Sequence, residues 1–448
     1  MSSTALPVPS RSPLERFLRL FTDVREGEGL QVVLLALNVF LILTAYYVMK
    51  PVREALILTL PHGAEVKSYA LAAQAALLLA IVPLYGALAR HMNRRRLINV
   101  VTLFFIACPP VFHALIGAGV NVAIAYFLWL GIFSLMVIAQ FWAFCNDIYT
   151  TDAGKRLFAL IAFGASCGAV AGAFVSGHLI HVIGVRPLML LGSVVLALSL
   201  VLFNVIERLS RSHGALHRAP HAEEAGDRIG GRNPFFVVAG NRYLLVIALV
   251  ILLLNWVNAT GEYILGRIVR ETAQAQISSG ILDPALQGIF IGGFFAQYFQ
   301  LVNLLGMLLQ LLVVSRLIKL IGVRWALCVL PVMAFGSYLA AALLPVLAAV
   351  RWVKTIENSI DYSLQNTVNH MLYLPTTREE KYKAKQTIDT FFVRAGDVLS
   401  ALMVYVGVTW LSFSVSQFAL ANLALVLLWF SLSLWVGRRF QTLAPAKR

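Results

Sequence analysis

Long apolar runs, rich in Leu, Ala and Val and separated by short polar breaks, dominate this chain. Each is long enough for a helix of about 20 residues, the length that crosses a ~30 Å hydrocarbon layer. The alternating pattern of β-barrel strands is absent, so helices must satisfy the backbone inside lipid. Ahead of the first run, Ser12-Pro13-Leu14-Glu15 offers Ser at an N-cap, Pro at N1 and an acid at N3. Leu14, Phe17, Leu18 and Phe21 then recur at helical spacing, which predicts a short helix lying on a membrane surface. Six spans are predicted over 29–60, 67–90, 96–118, 120–149, 155–182 and 186–207. A charged stretch from Glu207 to Asn233 interrupts them, and six more follow over 237–270, 285–315, 322–344, 346–374, 384–409 and 412–437. The fold class is therefore an all-α polytopic membrane protein of about twelve helices. It divides into an N-terminus (1–28), a first six-helix bundle (29–207), a linker (208–236), a second bundle (237–437) and a tail (438–448).

Composition agrees, since 59% of the residues are hydrophobic and 13% charged, against roughly 25% charged in soluble chains. A net charge of +15 over 448 residues would suggest nucleic acid in a soluble protein. Here the basic residues sort by loop instead. Twenty-seven lysines and arginines fall in the N-terminus, the even-numbered loops, the linker and the C-terminus, against Lys67, Arg186, Arg267 and Arg270 in the odd-numbered loops. That bias places both termini and the linker on the cytoplasmic side of a bacterial inner membrane. Polar residues at 1–28 and the length of the first span argue against a cleaved signal peptide. Cys108, Cys145, Cys167 and Cys328 lie in separate apolar segments without metal-ligand spacing.

The halves echo each other. LNVFLILTAYYVMKPVRE at 37–54 matches LNWVNATGEYILGRIVRE at 254–271 through Leu37/Leu254, Asn38/Asn255, Tyr46/Tyr263, Val52/Val269, Arg53/Arg270 and Glu54/Glu271. Thr150-Thr151…Lys155 pairs with Thr376-Thr377…Lys381, and IGVR at 183–186 recurs at 321–324. These echoes predict duplication of a six-helix unit. The loop GALARHMNRRRL at 86–97 resembles the loop between the second and third helices of the major facilitator superfamily, through Gly86, Leu88, Ala89, Arg94 and Arg95. Arg90 and Asn93 stand where that family has aspartate and glycine.

Charges inside a bilayer cost about 2.5–3.5 kcal/mol each on insertion scales, so they face cavities and pair. Span ten carries Arg351, Lys354, Asn358 and Asp361 on one helical face, with Glu357 beside it to pair with Lys354 and Asn366, Asn369 and His370 further in. Span one carries Lys50, Arg53 and Glu54, with Lys50 and Glu54 at i, i+4, and span eleven carries Asp389, Arg394 and Asp397. With Asn258 and Glu262 of span seven, these predict one aqueous cavity between the halves. Against that stands the reading that the charges merely pair and hold helices together. Arg94, Arg95, Lys155, Arg156, Lys381 and Lys385 are candidates for gating at the cytoplasmic loops. Gly164, Gly168 and Gly172 on span five, and Gly288 and Gly292 on span eight, form small faces, read as sliding contacts between halves or as plain packing. Histidines are isolated and read as no metal site. No P-loop, dinucleotide fingerprint or nucleophile elbow supports an enzyme, and no cofactor is called for.

Two segments resemble the ATP/ADP translocase family of nucleotide antiporters. FWAFCNDIYTTDAGKRLFALIAFG at 141–164 does so through Phe141, Trp142, Phe144, Asn146, Ile148, Lys155, Arg156 and Gly164. DYSLQNTVNHMLYLPTTREEKYKAKQTID at 361–389 does so through Tyr362, Ser363, Leu364, Met371, Tyr373, Pro375, Lys381, Lys383, Lys385, Ile388 and Asp389. Arg53-Glu54 occupies the place of a family Lys-Asp pair. The resemblance implies a secondary transporter with alternating access. Its partners would be the lipid bilayer and a small anionic solute, a nucleotide included; nucleic acid would not be one, and the monomer would suffice. Asp361 and Asn369 replace family lysines, while Leu130 and Asn258 fall near its acidic positions, which weakens the case for a polyphosphate. Arg53, Arg351, Lys354 and Arg394 retain the capacity to clamp phosphate or carboxylate. A proton-coupled exporter of drugs, lipids or metabolites, with Asp361 or Glu357 titrating, and a non-transporting sensor or scaffold remain the alternatives.

Overall fold

The computed structural model describes residues 13–19, 22–25, 27–212 and 233–443. Ser12, the linker's Arg218, Arg228 and Arg232, and the tail's Lys447 and Arg448 lie outside the described residues. After a short α1 (Pro13–Leu18), the first half consists of α2 (Gly29–Leu58), α3 (Gly63–His91), α4 (Arg94–Gly117), α5 (Ala123–Ile148), α6 (Thr151–Ile183) and α7 (Val185–Ser212). The short α8 (Pro234–Gly240) leads into the second half, which begins with α9 (Arg242–Ser278), α10 (Gln287–Leu309) and α11 (Ser315–Leu343). It is completed by α12 (Leu347–Ile360), α13 (Asn366–Met371), α14 (Arg378–Thr387), α15 (Val393–Thr409) and α16 (Val415–Leu443).

Ten of these stretches are long and apolar enough to cross a membrane, and one of them, 284–343, holds two spans. Its break is Gly322, at φ 74 and ψ 165, a left-handed position that glycine takes without a Cβ clash. The span 347–371 is too charged to count among the ten, so with it the bundle has twelve crossings. Gly184 has the same left-handed φ, 81, between α6 and α7. The IGVR echo is thus explained by turn chemistry. Gly184 joins the fifth and sixth spans and Gly322 the eighth and ninth, so the two turns lie at opposite ends of the bundle. The two turns therefore do not occupy equivalent places in the two halves. The Thr echo is better placed: Thr150 caps α6 through the Ala153 N–H, and Thr377 caps α14 through the Glu380 N–H.

Six crossings return the chain to its starting end, so α2 and α9 both begin at the end that carries the termini. The second half alone contains wide, π-type turns among the described residues, at Gln310–Val314, Asp361–Gln365 and Ile388–Phe392; such turns recur at functional sites.

Within the first half, α2 lies against α6 and α7. A Cβ on Gly164, Gly168 or Gly172 would stand 2.5, 2.3 or 2.5 Å from the carbonyl oxygens of Ala36, Phe40 and Thr44. This glycine face seats α2 and α6 backbone to backbone inside one half, which corrects the expectation of a sliding contact between halves. The α10 face is the one that meets the other half: Gly292 lies under Ile180 and Ala55, and Gly288 against Val185. Across the molecule, α2 and α6 contact α10, and α3 contacts α9 and α15. Tyr47, Ile57, Leu58, Ala64 and Ala70 of the first half are buried within the second half's core.

Candidate substrate site

The side chains that join the halves gather at the end away from the termini. Glu54, 0% exposed, accepts from Arg53 at 2.5 Å and faces the Lys67 ammonium at 2.7 Å. Lys67 reaches across to Glu262 of α9 at 3.7 Å. Glu262 then accepts from Asn358 at 3.0 Å, and Asn358 also donates to Tyr298 at 2.7 Å. A second bridge runs from the Tyr263 hydroxyl to Glu65 at 3.1 Å, and Tyr69 stacks edge-on with Tyr405. Buried charges of this kind must be paired and hydrogen-bonded to be tolerated.

Lys50 behaves differently. The helical spacing predicts an i, i+4 pair with Glu54, yet Glu54 turns to Arg53 and Lys67. The Lys50 ammonium instead lies 3.9 Å from the centroid of the Phe299 ring, with Tyr47 at 5.1 Å and Tyr46 at 5.7 Å. Arg53 and Lys67 likewise rest on Phe127 and Phe295. Cations stand over ring faces because the ring quadrupole is negative there.

On α12, Lys354 pairs with Glu357 at 2.8 Å as the spacing predicts. It also contacts Asn258 and the Tyr338 hydroxyl, both at 3.4 Å. Gly261 makes this possible: a Cβ there would lie 2.1 Å from the Tyr338 hydroxyl and 2.8 Å from the Lys354 nitrogen. Asp361 is half-buried about two turns beyond Lys354 toward the termini end, at the start of a π-type turn.

Other expected site residues stand apart from this network. Arg351 bonds Gln297 and faces Phe294 within the second half. Arg394 pairs with Asp397 on its own helix, and Asp389 is exposed. Of the three charged spans expected to share one cavity, only spans one and ten enter this network, whose side chains come mainly from α2, α3, α9, α10, α11 and α12.

The basic residues that the first half carries at the termini end bond within that half. Arg94 bridges Asp147 and Glu207, at 3.1 and 3.0 Å, and Arg95 bonds Asn204. Arg156 pairs with Glu28 at 2.9 Å and donates to the Asp23 carbonyl, while Thr22 donates to the Arg156 carbonyl. Lys155 faces Asp152 on the surface, and Lys381 and Lys385 are half-exposed on α14.

Sequence reasoning missed Lys67, Tyr298, Phe299 and Tyr338. Lys67 was assigned to an outer loop, but α3 starts at Gly63 and buries it to 8% exposure. The signal was available: Glu65 and Lys67 open an apolar run opposite an acid on span one that needs a partner. Tyr298, Phe299 and Tyr338 sit in apolar runs, where nothing local separates a ring that lines a site from one that fills a core.

The fold recurs in solved transporters. A bacterial homolog of the human lysosomal transporter Spinster, in an inward-facing and unoccupied conformation, matches with a TM-score of 0.60 at 13% identity, over 95% of this chain and 100% of that one. An auto-inhibited POT family peptide transporter matches with a TM-score of 0.62 at 11% identity, over 93% and 97%. The nucleoside transporter NupG matches with a TM-score of 0.61 at 12% identity, over 92% and 99%. At these identities the likeness is one of fold, the two six-helix bundles of the major facilitator type. No curated protein sequence matches. The profile of the TLC ATP/ADP transporter family spans residues 9–118 and 121–440, and the chain belongs to that family.

Proposed function

We propose that this transporter moves an organic anion bearing phosphate or carboxylate, by alternating access as its halves rock. The observation that carries the reading is the state of Lys50. Arg53, Lys67 and Lys354 pair with Glu54, Glu262 and Glu357, whereas the Lys50 ammonium rests on rings instead of a carboxylate. A cation held by ring faces is free to accept a stronger, charged acceptor. Family membership puts nucleotides among the first candidates. Lys50, Arg53, Asn258, Glu262, Lys354, Asn358 and Asp361 would line the path, and the two six-helix units would be the bodies that move. Both termini would face the cytoplasm of a bacterium, with the monomer as the working unit.

Proteoliposomes loaded with unlabelled anion provide the test. Labelled ADP, ATP or a dicarboxylate should enter by counter-exchange, and failure of every phosphate and carboxylate tried would overturn the anion reading. One observation favours a second reading. Asp361 is half-buried on the same helix as Lys354, without an ion pair to it, which suits a proton-coupled exporter. Uptake that follows a pH gradient, and loses that dependence in Asp361→Asn, would select it.

A further inference from the structure

The contacts between halves form two layers. In the far layer, Lys67 of the first half joins Glu262 and lies 5.2 Å from the Phe295 centroid of the second. One turn nearer the termini, Lys50 lies on Phe299, and Tyr47 meets the same ring edge-on at 6.2 Å. Phe295 and Phe299 are one turn apart on α10, as Lys50 and Glu54 are on α2, so the layers stack in register. The far layer is ionic and its charges are compensated. The near layer has one charge, and an aromatic ring from the opposite half is its closest partner.

We propose that Lys50 and Phe299 form a clasp between the halves that holds the far end shut in the empty protein, and that an arriving anion opens it by capturing the Lys50 ammonium. This rests on the anion-transport reading for its second clause only. A cation–π contact, though strengthened by desolvation, is exchanged readily for a charge-assisted hydrogen bond to phosphate or carboxylate. Lys50 lies on the termini side of Glu54, so it is the first buried cation of α2 that a solute entering from that end meets. Once the ammonium leaves the ring, only the edge-on contact of Tyr47 with Phe299 is left in the near layer, and the far layer bears most of the resistance to rocking. Phe299 would then be a positioning residue: it parks the cation and couples its release to movement.

Spin labels can read the far end directly. Val182, at the end of α6, and Ile281, in the loop after α9, are both 78% exposed and belong to opposite halves. With the four native cysteines replaced by alanine, Val182→Cys and Ile281→Cys carry the pair in the full chain. In the empty protein, Phe299→Leu should add a longer-distance population, and Phe299→Tyr, which keeps a ring, should not. Lys50→Met keeps the apolar stem without the charge and should shift the distribution as Phe299→Leu does. The double variant should go no further than Phe299→Leu alone, because that variant already removes the contact that Lys50→Met removes. A distribution unchanged by Phe299→Leu, or additive effects in the double variant, would overturn the clasp. ADP or inorganic phosphate added to the parent should raise the same population, and Lys50→Met should abolish that response; an equal response in Lys50→Met would overturn the capture step. A parent that ignores both, and a dicarboxylate besides, sinks the anion reading, while the ring substitutions still decide the clasp.

Discussion

The first helices of the two halves, α2 and α9, carry one sequence pattern and put it to different uses. In α2, Lys50, Arg53 and Glu54 are buried between the halves. In α9 the matching Arg267 and Glu271 pair with each other at 2.8 Å, with the glutamate side chain 50% exposed. Depth does not separate the two sets, since Gly266 beside Arg267 still packs on Leu58 of the first half. Arg267 turns instead to Tyr263 and to the Phe413 carbonyl of its own half. Glu262, 20 residues into α9, is the residue that reaches the other half, through Lys67, and it has no counterpart in the repeat. The same residue pattern recurs in both helices, and the contact surface between halves assigned its work.

Substitutions can break this comparison, beginning with the largest effect. Glu54→Gln leaves Arg53 and Lys67 facing each other in a buried site, so it should cost about 3–5 kcal/mol and abolish uptake. Thermal unfolding in detergent and vesicle transport would check both. Adding Lys67→Met to that variant should recover part of the lost stability, and a purely additive pair would contradict the bridge. Lys354→Ala strands Glu357 in the same way and should also abolish uptake while the protein still reaches the membrane.

The two glycine faces sharpen the contrast at intermediate size. Gly168→Ala would press a Cβ onto the Phe40 carbonyl at 2.3 Å and should cost about 1–3 kcal/mol. Gly288→Ala meets Val185 at 3.6 Å, an ordinary contact, and should leave both stability and uptake close to the parent. Smallest of all is Glu271→Gln, the repeat partner of Glu54→Gln. A half-exposed pair of this kind is worth at most about 1 kcal/mol, so the melting temperature should barely move. A large drop for Glu271→Gln would show that the two helices are used alike after all.

Much of the architecture was legible in the chain. Hydropathy reveals twelve crossings because lipid forces each into a long apolar helix, and even the charged span at 347–371 could be placed by its helical spacing. The Lys354–Glu357 pair was legible too, since both partners ride on one helix. Span ends were less clear where helices outlast their hydropathy. α9 continues through Arg267, Arg270 and Glu271 to Ser278, and α3 begins before Lys67, so four charges read as loop residues belong to helices.

What remained hidden depends on the neighbouring helix. Nothing local to Lys50 distinguishes a pair with Glu54, four residues away, from a ring 249 positions along the chain. The glycine faces of α6 and α10 look alike in sequence, but one seats a helix of its own half and the other meets the opposite half. By itself the sequence determined the helices and their number, because those follow from backbone and side-chain solvation in lipid. The tertiary structure alone decided which charge meets which, because pairing is set by the depth and rotation at which separate helices pack, and no periodicity within a single helix contains either.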